Sequence, residues 1–270
     1  MDEIEIKKTH ILITNDDGIY AEGIQRLSQC LYENSDRYKL SIVAPDRERS
    51  AIGHAITMHR PLLVDEISYM HNPELRGWCV NGTPSDCVKL AIEAILEEKP
   101  DLVISGINRG SNLGTDVLYS GTVSAAVEGL IMGIPSIAVS LTGNGDGNSF
   151  DFAGQFICRL FPLLLEAGLP TSTLININIP TNVENIKGIR ATRLGNRRYR
   201  NAFEKRIDPR GRVYYWLAGE LVDDEDEDED VDTRAVRDGY ISITPIHFPL
   251  TNENVLPELK NILEKMPLKI

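Results

Sequence analysis

The most chemically suggestive residues follow an apolar segment near the start of the chain. This segment, ILITNDDGI, ends in Asn15, Asp16 and Asp17, and then Gly18 offers a turn that needs no β-carbon. Two neighbouring carboxylates repel each other unless a cation holds them, and Mg²⁺ and Mn²⁺ prefer oxygen ligands. The motif therefore indicates either a metal site or one aspartate that caps the next helix while the other is solvated.

A second polar loop, APDRERSAIGHAIT, follows another apolar segment. It supplies Ser50 as a neutral oxygen ligand, and Arg47 and Arg49 as candidate phosphate partners. Ser and Arg side chains in a loop are also commonly just solvated, so this loop gains meaning only beside the first motif.

A third loop combines amide side chains with glycines. The segment SGINRGSNLGTDVLYSGTVSAAVEG contains Asn108 and Asn112 and leads to a helix start at Ser120, Gly121 and Thr122. A glycine-containing approach to a helix N-terminus suits phosphate oxygens. The alternative interpretation is a structural loop whose glycines only make turns.

Strands alternate with helices over most of the chain. The pattern predicts strands at 10–14, 39–44, 102–105, 135–141 and 174–179, an extended segment at 56–64, and helices at 21–32, 83–96, 122–132 and 152–167. This alternation predicts an α/β fold with a Rossmann-like, mostly parallel sheet flanked by helices. Ligands bind outside the carboxyl ends of such strands, so the three polar loops should share one edge of the sheet.

The alternation of strands and helices ends after Pro180. Residues 190–206 and 212–217 are rich in Arg, Tyr and β-forming residues and predict a hairpin that leaves the sheet. We interpret residues 190–240 as an oligomerisation arm and expect a single domain over residues 1–270. The arm includes an acidic run, Asp223 to Asp230, which predicts a solvated loop because adjacent like charges repel. A strand at 240–245 and a helix at 252–265 follow.

Composition narrows the function classes. The formal net charge is −12, but the acidic run supplies eight of these charges and leaves −4, so duplex nucleic acid is not an expected partner. No apolar stretch has the length of a membrane span, and the N-terminus lacks a signal core, so we expect a cytoplasmic protein without a membrane partner. The four cysteines have no CxxC spacing, which favours reduced, mostly buried thiols over a zinc knuckle or redox pair.

Six motifs together resemble one known family over nearly the whole chain. In order they are ILITNDDGI, APDRERSAIG, VNGTPSDCV, SGINRGSN, LYSGTVSAAVEG and GYISITP, and they are similar to those of the SurE nucleotidases. The resemblance implies one divalent metal ion per subunit, Mg²⁺ or Mn²⁺, bound by Asp16, Asp17, Ser50 and Asn108. It also implies hydrolysis of nucleoside 5'-monophosphates, with 3'-monophosphates and short polyphosphate as further substrates, and a homodimer or homotetramer.

Roles within this site can be assigned as hypotheses. Asp16 or Asp17 would be catalytic by accepting a proton from the attacking water. The predicted substrate contacts are Asn112, Ser120, Gly121 and Thr122, and residues 82–85 would border the nucleoside pocket. We interpret His54 as a loop residue beside the site rather than a general acid, and His247 as structural or interfacial.

Three other function classes compete with this interpretation. A dinucleotide-dependent oxidoreductase would need GxGxxG after the first strand, where this chain has NDDGIYAEG. A haloacid-dehalogenase-type phosphatase would use Asp16 as a covalent nucleophile, but its DxD spacing is missing. A non-enzymatic binding module would depend on the arm and the acidic run instead.

Overall fold

The computed structural model describes residues 8–34, 36–69, 72–168, 170, 172–222 and 228–266. Within these residues, nine strands form one sheet and four form an arm. The strands are β1 Thr9–Thr14, β2 Tyr38–Pro45, β3 Val64–Tyr69, β4 Asn72–Val80, β5 Leu102–Arg109, β6 Ser136–Thr142, β7 Thr173–Pro180, β8 Gly188–Ala191, β9 Arg198–Arg200, β10 Phe203–Ile207, β11 Val213–Leu217, β12 Glu220–Val222 and β13 Tyr240–His247.

The sheet has the order β3-β4-β2-β1-β5-β6-β7-β13-β8. The strands from β4 to β7 in this order are parallel, whereas β3 is antiparallel at one edge. At the other edge β13 runs antiparallel to β7 and parallel to β8. The predicted class, a mostly parallel α/β sheet flanked by helices, is confirmed.

Helices cover both faces of the sheet. They are α1 Glu22–Tyr32, α2 Pro84–Leu90, α3 Gly121–Ile131, α4 Gly147–Ala167, α5 Asp232–Arg237 and α6 Leu256–Glu264. Helix α1 packs against α4, and α2 packs against α3. Side chains alternate across a strand, so Ile11 and Ile13 of β1 lie in the core under α1 and α4, while Leu12 lies in the core under α2.

The position of β1 decides where a ligand can bind. The chain passes from β1 to β2 on one side and later places β5 on the other side of β1. The connections after β1 and β5 therefore leave in different directions and open a crevice at their carboxyl ends. Asp16 and Asp17 follow β1, and Asn108 lies at the end of β5.

Several predicted element boundaries need correction. Residues 56–63 lie outside the strands, and the β3–β4 hairpin was not predicted. Strand β5 continues to Arg109, so Asn108 belongs to the strand end and not to the following loop. The predicted helix at 83–96 becomes α2 and a π-type turn, Ala91–Ile95, and Thr83 caps α2 by accepting a hydrogen bond from Asp86 N.

The arm is shorter than the predicted 190–240. Its strands run from β9 to β12 and form two antiparallel pairs, β10–β11 and β9–β12. Strand β8 belongs to the main sheet, and α5 packs on β13, so both lie outside the arm.

The acidic run is only partly covered by the described residues, since 223–227 fall outside them. Its end is not a free solvated loop as predicted, because Arg193 pairs with Asp228 at 2.6 Å and with Asp230 at 3.2 Å. Separately, none of the described helices combines the length and apolar character needed to cross a membrane.

Candidate active site

The turn after β1 is held by its own asparagine. Asn15 Nδ2 donates to the Gly18 carbonyl at 2.9 Å, and Gly18 N donates back to Asn15 Oδ1 at 3.2 Å. Gly18 has a φ of +101°, and a β-carbon there would lie 3.0 Å from the backbone carbon of Arg47. The turn therefore requires glycine for both conformation and space, and it projects Asp16 and Asp17 from the strand end.

Asp16 is the best-enclosed member of the pair, with 4% of its surface exposed. Its Oδ1 accepts a 2.5 Å hydrogen bond from the Thr122 hydroxyl at the start of α3. Its backbone carbonyl accepts from Arg49 N at 2.7 Å, which brings the loop after β2 against the same residue. Thus the loop after β2 and the start of α3, far apart in sequence, both meet at Asp16.

Gly121 allows this contact. A β-carbon on Gly121 would lie 2.8 Å from Asp16 Cβ and 2.8 Å from Asp16 Oδ2. The first turn of α3 consequently packs directly on the carboxylate, an approach that any larger residue would block. The N-terminus of a helix also carries partial positive charge, which favours a neighbouring anion.

Asp17 and Asn108 connect the turn to β5. The half-buried Asp17 accepts a hydrogen bond from Arg109 N to its Oδ2 at 3.0 Å. Asn108, which precedes Arg109, is 9% exposed, and its Nδ2 donates to the Gly110 carbonyl at 2.8 Å. This orientation of the amide leaves Asn108 Oδ1 as the atom suited to a cation.

Ser50 lies beside this group but faces another partner. It is exposed, and its hydroxyl donates to Glu48 Oε1 at 2.7 Å. While the hydroxyl donates to Glu48, the lone pairs of Ser50 Oγ stay available for an ion. Glu48 was not predicted as a site residue, and the sequence RER gives no signal that separates it from its charged neighbours.

The electrostatics favour a bound cation. Burial raises the pKa of Asp16 to about 6 against the opposing hydrogen bond from Thr122, and the charge of Asp17 raises it further. Burial also raises the pKa of Asp17, opposed by the Arg109 N–H, while the charge of Glu48 adds to the rise. Each carboxylate is thus costly to ionise without a positive partner.

The donor set fits a hard divalent ion. Two carboxylates with amide and hydroxyl oxygens form the kind of all-oxygen environment that Mg²⁺ and Mn²⁺ accept. In the part of the chain that the structure describes, no three His, Cys, Asp or Glu side chains form a metal-binding group. An ion here would therefore depend on Ser50 and Asn108 as well as on the two aspartates.

The predicted phosphate contacts are largely engaged within the fold. Asn112 Nδ2 donates to Ser140 Oγ at 2.8 Å. Ser120 Oγ accepts from Val123 N at 3.1 Å and caps α3, while the Thr122 hydroxyl is held by Asp16. Their contact with phosphate stays a prediction, and it falls mainly to backbone N–H groups at the start of α3.

Residues 82–85 hold the loop between β2 and β3. Thr83 Oγ1 donates to the Ala55 carbonyl at 2.7 Å, and Asp86 Oδ1 accepts from Thr57 N at 2.9 Å. The sequence analysis did not predict this role of Asp86 in holding the loop, because its position in the sequence is typical of a helix-capping residue. Asp86 also performs that capping role. The start of α2 therefore orders the loop that contains His54.

Charged residues of this loop have partners of their own. His54 Nε2 lies 2.6 Å from Oε2 of the buried Glu128, and its interpretation as a loop residue rather than a general acid stays a prediction. Arg49 Nη2 donates to Asp46 at 2.9 Å and to the Asn81 carbonyl at 3.1 Å. Of the two arginines predicted to contact phosphate, Arg49 is thus held by these bonds, whereas Arg47 is exposed to solvent.

Comparison with known proteins gives consistent results. The family model "Survival protein SurE" matches residues 11–201. A protein of Pelotomaculum thermopropionicum called 5'-nucleotidase SurE is 59% identical, with 94% of this chain and 95% of that protein covered. Its namesake in Carboxydothermus hydrogenoformans is 56% identical over 93% and 94% of the two chains. The crystal structure of the SurE protein from Aquifex aeolicus is 41% identical in sequence and has a TM-score of 0.78. The match covers 94% of this chain and 99% of that chain.

Replacing Asp16 with Asn should stabilise the metal-free protein. Because the folded-state pKa of about 6 exceeds the ordinary value of 3.8, the cost of ionising Asp16 grows as the pH rises from 3.8 to about 6 and is complete above that. Below about pH 3 the folded and unfolded states are both protonated and the cost disappears. In chelator, the gain in unfolding free energy over wild type should reach at most about 3 kcal/mol above pH 6 and vanish below about pH 3. Urea unfolding at several pH values measures it.

The exposed Asp36 supplies the matched control, since Asp36→Asn removes one charge without removing a buried one. A loss of stability in Asp16→Asn at pH 7 in chelator would contradict the proposed electrostatic cost.

Proposed function

We propose that this chain, which belongs to the SurE family, hydrolyses nucleoside monophosphates at one divalent metal ion per subunit, bound by Asp16, Asp17, Ser50 and Asn108. Family membership follows from the match to the family model and from relatives more than 50% identical over nearly the whole chain. The chain is accordingly a 5'-nucleotidase. The observation that carries the proposed site is the convergence of the turn after β1, the loop after β2 and the start of α3 on the buried Asp16.

The protein residues have distinct tasks in this reaction. When bound, the ion would withdraw charge from a phosphoryl oxygen and acidify a water. Thr122 fixes the Asp16 carboxylate, and Arg109 N fixes that of Asp17. One of these carboxylates accepts the proton of the attacking water, and backbone N–H groups at the start of α3 orient the phosphate.

Finer aspects of the function are part of the same proposal. We propose Mg²⁺ or Mn²⁺ as the ion, 3'-monophosphates and short polyphosphate as further substrates, and a cytoplasmic, single-domain protein. The oxygen donors support the choice of metal. The oxidoreductase alternative is disfavoured because the turn after β1 presents carboxylates, which would repel the pyrophosphate of a dinucleotide.

Phosphate release from a panel of nucleoside monophosphates tests the function directly. Wild type should be active with Mg²⁺ or Mn²⁺ and inactive in chelator, and Asp16→Asn should be slower by roughly 100-fold or more because an ion ligand loses its charge. Asp36→Asn, which lies in an exposed turn, should retain wild-type turnover. Undiminished release by Asp16→Asn, or by wild type in chelator, would refute the proposed metal site.

Gly121→Ala tests the close approach of α3 to the carboxylate. The new methyl group must displace Asp16, so Mn²⁺ affinity measured by calorimetry should fall about 10-fold to 100-fold. Gly154→Ala is the matched helical control, because its β-carbon would meet Cys30 Cβ at an ordinary 3.4 Å. Equal Mn²⁺ affinity in Gly121→Ala and Gly154→Ala would show that this packing does not position the ligand.

The arm supports a proposal of homodimers or homotetramers. Its strands β10 and β11 expose large apolar side chains, with Phe203 68%, Trp216 58% and Leu217 76% exposed. Helix α6 also exposes Leu259, Ile262 and Leu263. Phe203 and Leu217 are paired across β10 and β11, and exposed apolar surface of this kind marks an interaction site. A second copy of the chain is the partner we propose.

Changing Trp216 and Leu217 together to Ser should reduce the number of subunits in the assembly, because these side chains would lose buried apolar contact. Sedimentation equilibrium measures the molar mass. Replacing the exposed, polar Lys205 of the partner strand with Ser serves as the control. An unchanged molar mass in the double variant would contradict the proposal that the arm holds the subunits together.

A further inference from the structure

Two cysteines that are far apart in sequence meet on the outer face of the protein. Cys30 in the last turn of α1 and Cys158 in α4 are separated by 128 positions, yet their sulfur atoms lie 3.1 Å apart. Both are free thiols and half-buried. The sequence spacing led us to expect no redox pair, and the packing of α1 on α4 brings one of suitable geometry together instead.

We propose that Cys30 and Cys158 form a reversible disulfide that joins α1 to α4. The two sulfurs need to approach by only about 1 Å to reach bonding distance. Gly154, one helical turn before Cys158, also faces Cys30, and a β-carbon there would make an ordinary contact with Cys30 Cβ at 3.4 Å. Small side-chain rotations therefore suffice for bond formation.

Solvent clefts give an oxidant access to this pair. A cleft of about 400 Å³ is lined by both cysteines together with Arg37, Tyr38 and Arg159. A second cleft of about 280 Å³ reaches Cys30 from the side of Asp151. Cys87 is fully buried, and Cys79 is half-buried on β4. The proposed pair is thus the one set of neighbouring, reachable thiols among the described cysteines.

Access favours Cys30 as the first of the two thiols to react, because Cys30 lines both clefts whereas Cys158 lines only the larger one. Cys30 attacks as the thiolate, which is the nucleophile in exchange with a disulfide.

The chemistry balances with a small disulfide as oxidant. The Cys30 thiolate attacks one sulfur of the oxidant, forms a mixed disulfide and expels one thiolate, which takes up a proton. Cys158 then loses its proton and attacks the Cys30 sulfur, which forms the Cys30–Cys158 bond and releases the second small thiol. The protein gives up two electrons and two protons, and one oxidant disulfide becomes two thiols.

The expected consequence is stability rather than a change in turnover. Helix α1 begins next to the catalytic edge, and Cys30 lies at its other end near the start of β2, where Tyr38 shares the cleft. A bond across 128 positions constrains a long loop in the unfolded chain. Oxidised protein should therefore resist heat without a change in its nucleotidase rate at moderate temperature.

The test oxidises the full-length protein with oxidised glutathione, blocks remaining thiols with N-ethylmaleimide and maps the peptides by mass spectrometry. We expect a linked Cys30–Cys158 peptide that has lost two hydrogens, with Cys79 and Cys87 outside any linkage. The midpoint of thermal unfolding should rise by about 5–10 °C and return after treatment with dithiothreitol.

Each variant is compared with itself before and after oxidation, so that a change in its basal stability does not matter. Cys158→Ser and Cys30→Ser should lose the oxidative shift, while Cys79→Ser should keep it. The proposal is overturned if wild type gives only glutathione adducts without the linked peptide. It is also overturned if Cys158→Ser shows the same shift as wild type.

Discussion

A buried carboxylate holds the proposed active site together. Asp16 lies against the first turn of α3, where Gly121 leaves room for it and Thr122 donates a hydrogen bond to it. A second carboxylate, Asp17, follows directly, and burial raises the pKa of both groups. Such an arrangement opposes folding unless positive charge compensates it. Burial of two adjacent carboxylates thus favours a bound cation on physical grounds alone.

The loop after β5 connects this site to the arm. Asp232 is fully buried and accepts hydrogen bonds from Gly114 N and Gly195 N, each at 2.8 Å. Asp116 accepts from Arg197 Nη1 and from the Tyr199 hydroxyl, each at 2.7 Å. The base of the arm is therefore fixed to the loop that follows Asn108. The base of the arm and the loop that follows Asn108 share the same supports.

The sequence predicted the parts of the site that depend on strand ends. Because the carboxyl ends of parallel strands meet at one edge, Asp16, Asp17 and Asn108 could be grouped from strand patterns alone. The role of Thr122 could not be predicted in this way, since its hydroxyl meets a residue 106 positions away. The contact of Cys30 with Cys158 was missed for the same reason, since packing between residues 128 positions apart leaves no local pattern.

Anomalous diffraction from crystals soaked in Mn²⁺ tests the central claim most directly. The account predicts one Mn²⁺ peak per subunit at about 2.0–2.3 Å from carboxylate oxygens of both Asp16 and Asp17, with Asn108 Oδ1 and Ser50 Oγ completing the protein ligands. Occupied Mn²⁺ sites elsewhere on the protein, with none beside this pair of aspartates, would contradict it.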